Sequence, residues 1–202
     1  MVAFGQRRGY SDCITGARAR NLLSADEYAE VIGRSLNVSI NINWNKTTAG
    51  DDPHGNKLRS FRKALGRFLH ERGGHGLTCV WARERPTHPV SRPNAHLNCH
   101  IPMNLWGPFG RRILQFLPRG CEPIEKDAVH FELIGFTRDD RRRRAEYLVK
   151  GAHAKARLPI KRKRIAQGRI YGKRCGTSED IGRLARLRWH EQQQSLREAM
   201  PL

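Results

Sequence analysis

Residues 36–45 alternate without a break: Leu36, Val38, Ile40, Ile42 and Trp44 fall on one side, and Asn37, Ser39, Asn41, Asn43 and Asn45 on the other. A period of two predicts a strand with one core face and one face of amides and a hydroxyl. Three further stretches show the same alternation. In residues 77–84, Leu77, Cys79 and Trp81 oppose Thr78, Val80, Ala82 and Glu84. In residues 94–102, Ala95, Leu97, Cys99 and Ile101 oppose Asn94, His96, Asn98 and His100. In residues 128–136, Val129, Phe131 and Leu133 oppose His130, Glu132 and Ile134. A loop containing Pro86, Pro89 and Pro93 joins the second and third of these strands.

The period changes to 3.6 in residues 57–72, where Leu58, Phe61, Leu65, Phe68 and Leu69 form a helical stripe closed by Gly73-Gly74. Residues 106–117 repeat the pattern with Phe109, Ile113, Phe116 and Leu117. A capping Ser24 followed by Asp26 and Glu27 predicts a short helix ending near Gly33. Asp139-Asp140 predicts the start of another, running to about Gly151. A last helix is expected from Thr177, with Ile181, Leu184 and Leu187. The order β-α-β-β-α-β-α, with strands of one apolar and one polar face, predicts an α+β fold. The expected architecture is an antiparallel sheet of four to five strands with helices on one face, as in ferredoxin-like or RRM-like folds, and the other face open to a ligand. Residues 1–23 read as a flexible basic arm, 24–151 as the main domain, and 152–202 as a basic extension ending in a helix.

Charge narrows the partner. The chain of 202 residues carries a net charge of +19. Between Arg141 and Arg174 there are 14 Lys and Arg against the single acid Glu146. Such a balance calls for a polyanion, most simply nucleic acid, and Lys161-Arg162-Lys163-Arg164 is the densest run. Residues 168–176 mix glycines with Arg169, Lys173 and Arg174 and one aromatic, Tyr171, which suits a loop lying along a nucleic-acid backbone with a base stacked on the ring. No stretch has the ~18 consecutive apolar residues of a membrane span. Five cysteines without C-x-x-C spacing argue against a zinc ribbon or a disulfide scaffold, and with no apolar leader the expected location is the cytoplasm.

The polar stripe of residues 94–100 holds residue types that bind a divalent metal. His96, Asn94 and Asn98 on one strand, and Glu84 at the end of the strand before it, offer imidazole and oxygen ligands suited to Mg or Mn. Tyr147 and Lys150, spaced i, i+3, share a helix face, and a tyrosine attacking phosphate needs its phenolate stabilised by such a cation. Arg143 and Arg144 on the same helix are placed to hold a substrate backbone.

These residues resemble the HUH endonucleases, the rolling-circle replication initiators and relaxases, which pair a His-hydrophobe-His strand with a Tyr-x-x-Lys helix on an antiparallel sheet. Residues 36–43 look like their first motif, Glu84 like the acidic third ligand, residues 94–100 like the metal motif, and Tyr147-Leu148-Val149-Lys150 like the nucleophile motif. The resemblance covers roughly residues 36–151, in order. The metal motif departs from the pattern: Asn94-Ala95-His96 and His96-Leu97-Asn98 each carry Asn in place of one histidine, with His96 common to both and His100 available if the strand bulges. The resemblance implies metal-dependent nicking of single-stranded DNA at an origin-like site through a 5′-phosphotyrosine link. It also implies a role in rolling-circle replication or mobilisation of a plasmid, phage or transposon, with host replication proteins as further partners. Arg143, Arg144, Lys161, Arg162, Lys163, Arg164, Tyr171, Lys173 and Arg174 are the expected DNA contacts. The alternative is a non-catalytic RNA- or single-stranded-DNA-binding protein using the basic patch.

Overall fold

The computed structural model describes residues 9–85, 87, 93–135 and 137–199. Pro86 and Pro89 of the proline-rich loop, residues 1–8 of the expected arm, and Phe136 lie outside the described residues. In chain order the elements are β1 (Tyr10–Ser11), α1 (Gly16–Val31), β2 (Val38–Asn43), α2 (Asn56–Gly73), β3 (Cys79–Glu84) and β4 (Asn94–Cys99). After them come α3 (Trp106–Arg112), β5 (Val129–Leu133), α4 (Arg138–Leu148), β6 (Ile170–Tyr171), β7 (Cys175–Thr177) and α5 (Arg183–Ala199). The fold is α+β. Five strands form one antiparallel sheet in the order β5-β2-β4-β3-β7, and β1 pairs with β6 in a separate two-stranded ribbon.

One sheet face carries the alternating apolar set. Val38, Ile40, Ile42, Trp81, Ala95 and Leu97 pack against Leu58, Phe61, Leu65 and Leu69 of α2 and Phe109 of α3. Each buried Val, Leu, Ile or Phe among them contributes roughly 1.5–3 kcal/mol relative to its exposed state. Helix α2 stops where expected, with Gly74 at φ 70° taking the left-handed conformation and its N–H bonded to the His70 carbonyl.

The second face differs from the bare surface expected. Val80, Ala82 and Cys175 pack beneath Ala19, Leu22, Ala25 and Ala29 of α1 and Leu148 and Val149 at the end of α4. Every residue of β3 is therefore buried. Helix α1 also begins eight residues before Ser24, at Gly16, where the Thr15 side chain caps the Arg18 N–H. Residues 16–23 are thus helix and core rather than arm. The buried stripe of α1 is Ala19, Leu22, Ala25 and Ala29, mostly alanine, which gives little contrast with the polar residues around it.

The expected C-terminal extension is also part of the fold. β7 adds an edge to the main sheet by pairing with β3, with Trp81 opposite Gly176. Ile170 and Tyr171 pair with Ser11 and Tyr10. The final helix starts at Arg183, six residues past Thr177, and none of its side chains is buried. Among the described residues no helix is long and apolar enough to cross a membrane.

Candidate active site

The register of the central strands sets the site. β4 lies between β2 and β3, so His96 is flanked by Asn41 on one side and Ala82 on the other. One step along, Asn94 is flanked by Asn43 and Glu84. Directly paired residues point to the same side of an antiparallel sheet, so Glu84, Asn94 and His96 share the second face. His96 Nε2 lies 3.1 Å from Glu84 Oε2. Both side chains are buried.

Helix α4 brings the other half of the site. Its N-terminus is capped by Thr137, whose hydroxyl accepts the Asp140 N–H and donates to the Asp140 carboxylate at 2.6 Å; the cap thus lies two residues before the expected Asp139-Asp140. The helix ends at Leu148, and Lys150 sits in the turn beyond it. The Tyr147 ring meets His96 edge-on, with centroids 4.9 Å apart. Lys150 Nζ lies 3.5 Å from the Tyr147 ring centroid and 3.0 Å from Glu84 Oε2. The Arg162 guanidinium stands 5.0 Å from the same ring. Glu84 is therefore held by an imidazole and an ammonium. Burial pushes its carboxyl upward, but His96 and then Lys150 outweigh that, and the net displacement is below the ordinary glutamate value.

Two oxygens at this point remain unused. Glu84 Oε1 and Asn94 Oδ1 are buried and have no hydrogen-bond partner among the described residues. Such orphans are rare in folded proteins and call for an explanation. Among the described residues no group of three His, Cys, Asp or Glu gathers at one point. The donor set here is Glu84 and His96 with an amide oxygen in third place, and mixed oxygen and imidazole ligands fit Mg or Mn.

The remaining expected site residues divide. Asn98 lies on the same face, opposite Val80 and Ser39, buried and one pairing step beyond His96. His100 is not brought to the site. It lies past the end of β4, with Nδ1 3.0 Å from the Ser35 carbonyl oxygen and its ring 5.7 Å from His75. Four residues of strand span about 13 Å, so a shared direction did not mean a shared site. Arg143 is exposed and pairs with Asp140; Arg144 pairs with Glu132 at 2.6 Å. Arg143, Lys161, Arg162 and Lys163 line a cavity of about 500 Å³ beside α4. Lys173 and Tyr171 are exposed on the opposite wall of β3.

Two of the expected DNA contacts are structural instead. Arg174 is 1% exposed and donates to the carbonyls of Ser11 and Gly168. Arg164 donates to the carbonyls of His153, Ala154 and Ala156. Burying a guanidinium is tolerable only when such acceptors replace water. Conversely, Glu146 carries a role that the charge pattern hides. It is buried, and Oε2 accepts the N–H groups of Lys161 and Arg162, each at 3.2 Å, which fixes the basic loop beside Tyr147. Its isolation as the one acid in that stretch was the available signal.

No family model, curated protein or solved structure matches this chain.

Proposed function

We propose that the protein is a metal-dependent nickase and strand transferase for single-stranded DNA, with Tyr147 as nucleophile, serving rolling-circle replication or mobilisation of a plasmid, phage or transposon. One observation carries the reading: Tyr147 and His96, far apart in the chain, meet in a 4.9 Å edge-on contact, and Lys150 spans from the tyrosine ring to Glu84. The resemblance of residues 36–151 to HUH endonucleases agrees with this placement.

Glu84, His96 and the Asn94 amide oxygen would hold the divalent ion, which supplies charge withdrawal from a phosphodiester oxygen. The Tyr147 hydroxyl attacks phosphorus in line. A bond from phosphorus to the tyrosine oxygen forms, the bond to the 3′ oxygen breaks, and the proton lost by the phenol ends on that 3′ oxygen. Lys150, lying against the ring, stabilises negative charge developing on the phenol oxygen. Arg162, on the same ring, is placed to hold a phosphate. The phosphotyrosine conserves the energy of the broken bond, so strand transfer needs no nucleotide.

The test is adduct formation. Wild-type protein with Mn and a randomised single-stranded DNA library should yield a covalent complex with the modification on Tyr147, and Tyr147→Phe should lose the adduct while retaining binding. Absence of any adduct from the wild-type protein would count against the reading.

A further inference from the structure

Two cavities lie along β3, the smaller at its Glu84 end and the larger on the face that packs against α2. The smaller, about 180 Å³, is lined by Glu84 and Asn94 of the candidate site together with Tyr10, Arg85, Arg169 and Tyr171. The larger, about 850 Å³, runs between the first half of α2 and the β7 edge over Trp81. His54, Arg83 and Tyr171 line both, so the two cavities adjoin at these residues and together make up a groove that begins at Glu84.

The walls of this groove are built rather than incidental. Arg83 is 5% exposed, and its guanidinium donates to the carbonyls of Tyr171 at 2.9 Å, Lys173 at 3.2 Å and Pro53 at 2.7 Å. It fastens the 52–53 turn to the β6–β7 connection. A side chain at Gly55, which has φ 75°, would press to 3.0 Å from that guanidinium. Asp51 and Asp52 are consumed internally, the first by Arg85 and the second by the Lys57 and Leu58 N–H groups.

The chemistry presented to a ligand is aromatic at the junction and cationic beyond it. At the junction, Tyr171 is 41% exposed and contacts Tyr10 at 5.2 Å and His54 at 4.8 Å, both edge-on. Beyond it, the exposed Arg59, Lys63 and Lys173 line the same cavity as the buried Trp81, over which the Arg62 guanidinium stands at 4.7 Å. The Trp81 indole N–H and Arg62 Nε are buried without a partner among the described residues. A cavity of about 150 Å³ accepts a benzene-sized ring, so the smaller chamber has room for one planar base. Stacking rings joined to a cationic track are the means by which proteins hold single-stranded nucleic acid without reading its sequence.

We propose that this groove is a single-stranded DNA track. One base lodges at Tyr10 and Tyr171 beside Glu84, and the following phosphates lie on Arg59, Arg62, Lys63 and Lys173. The direction from Glu84 rests on the nickase reading; the groove as a binding site does not. It is distinct from the basic face of α4 and residues 161–163.

The test uses full-length Tyr147→Phe protein without metal, so that no chemistry intervenes, and follows the anisotropy of a fluorescent oligothymidylate. Arg59→Glu combined with Lys63→Glu, both on exposed positions, should weaken binding at least about tenfold and flatten its salt dependence. Tyr171→Ala should weaken it about fivefold or more. Circular dichroism should show each variant folded. Unchanged affinity in folded variants of both kinds overturns the proposal, as does tighter competition by oligouridylate than by oligothymidylate. Loss of binding in these variants, together with no adduct from the wild-type protein, would uphold the groove and sink the nickase reading instead.

Discussion

Lys150 Nζ lies 3.0 Å from Glu84 Oε2, and both side chains are almost sealed from solvent. The pair ties the end of the Tyr147 helix to the end of β3, and His96 shares the same carboxylate oxygen. Removing one member of such a pair strands a buried charge and typically costs about 3–5 kcal/mol, whereas removing both costs far less. Lys150→Met alone should therefore destabilise by about that amount, and Glu84→Gln with Lys150→Met should recover most of the loss. Urea unfolding of both variants checks this. Equal losses would show that the pair acts by packing alone.

Two acids, one buried and one half-buried, give the stability profile opposite slopes. Glu84 titrates below the ordinary 4.5 in the folded protein, so the folded state binds fewer protons than the unfolded one in that window. Its contribution is complete above the unfolded value and is lost as pH falls through the folded value. Asp26, in the narrow pocket between α1 and α4, behaves in the reverse sense. Removal from water, then the neighbouring Glu27, push it from 3.8 up to about 7. Its contribution is full below 3.8 and is lost as pH rises to about 7. Asp26 should thus lower stability across that range by at most about 1.4 kcal/mol per pH unit. Asp26→Asn should remove this slope in denaturation curves taken at several pH values, and an unchanged slope would exclude Asp26 as its source.

Asn94 stands where a second imidazole would complete a His-hydrophobe-His motif with His96. It is half-buried opposite Glu84, with its amide oxygen unpartnered among the described residues. Imidazole is the stronger ligand for Mn. Asn94→His should raise Mn affinity about tenfold, measured by calorimetric titration, and lower the Mn needed for half-maximal adduct. Unchanged Mn affinity in the folded variant would remove Asn94 from the ligand set.

The basic residues should separate into two classes. Lys161→Ala and Lys163→Ala, on the exposed loop held by Glu146, should each weaken single-stranded DNA binding and reduce the salt slope by about 0.7 per lost phosphate contact. Arg174→Met should instead destabilise the fold, because the Ser11 and Gly168 carbonyls lose their buried donor. Thermal unfolding beside DNA titration distinguishes the classes. An Arg174→Met protein of wild-type stability would contradict the structural role assigned to it.

The strands β2, β3, β4 and β5 and the helix α2 were legible because their information is local. Alternation from Val38 to Asn43, and the recurrence of Leu58, Phe61, Leu65 and Leu69, set which face is buried before any partner is known. Helix α1 was only partly legible, since Ala19, Ala25 and Ala29 bury little area each and leave a faint period. β7 has only three residues, too few for a pattern, and exists because β3 offers it a ladder.

Chemistry followed the same division. The sequence by itself determined that Glu84, His96, Tyr147 and Lys150 were the residues with suitable side chains, and the alternation set the direction of Asn94 and His96. It could not say that Arg164 and Arg174 spend their charge on backbone carbonyls, because composition counts a guanidinium without its surroundings. It could not separate His100 from His96, because direction repeats every second residue while position advances along the strand. Only the tertiary structure laid α4 across β4 and brought Tyr147 onto His96. That contact depends on strand register and helix packing between segments distant in the chain, which no local period encodes.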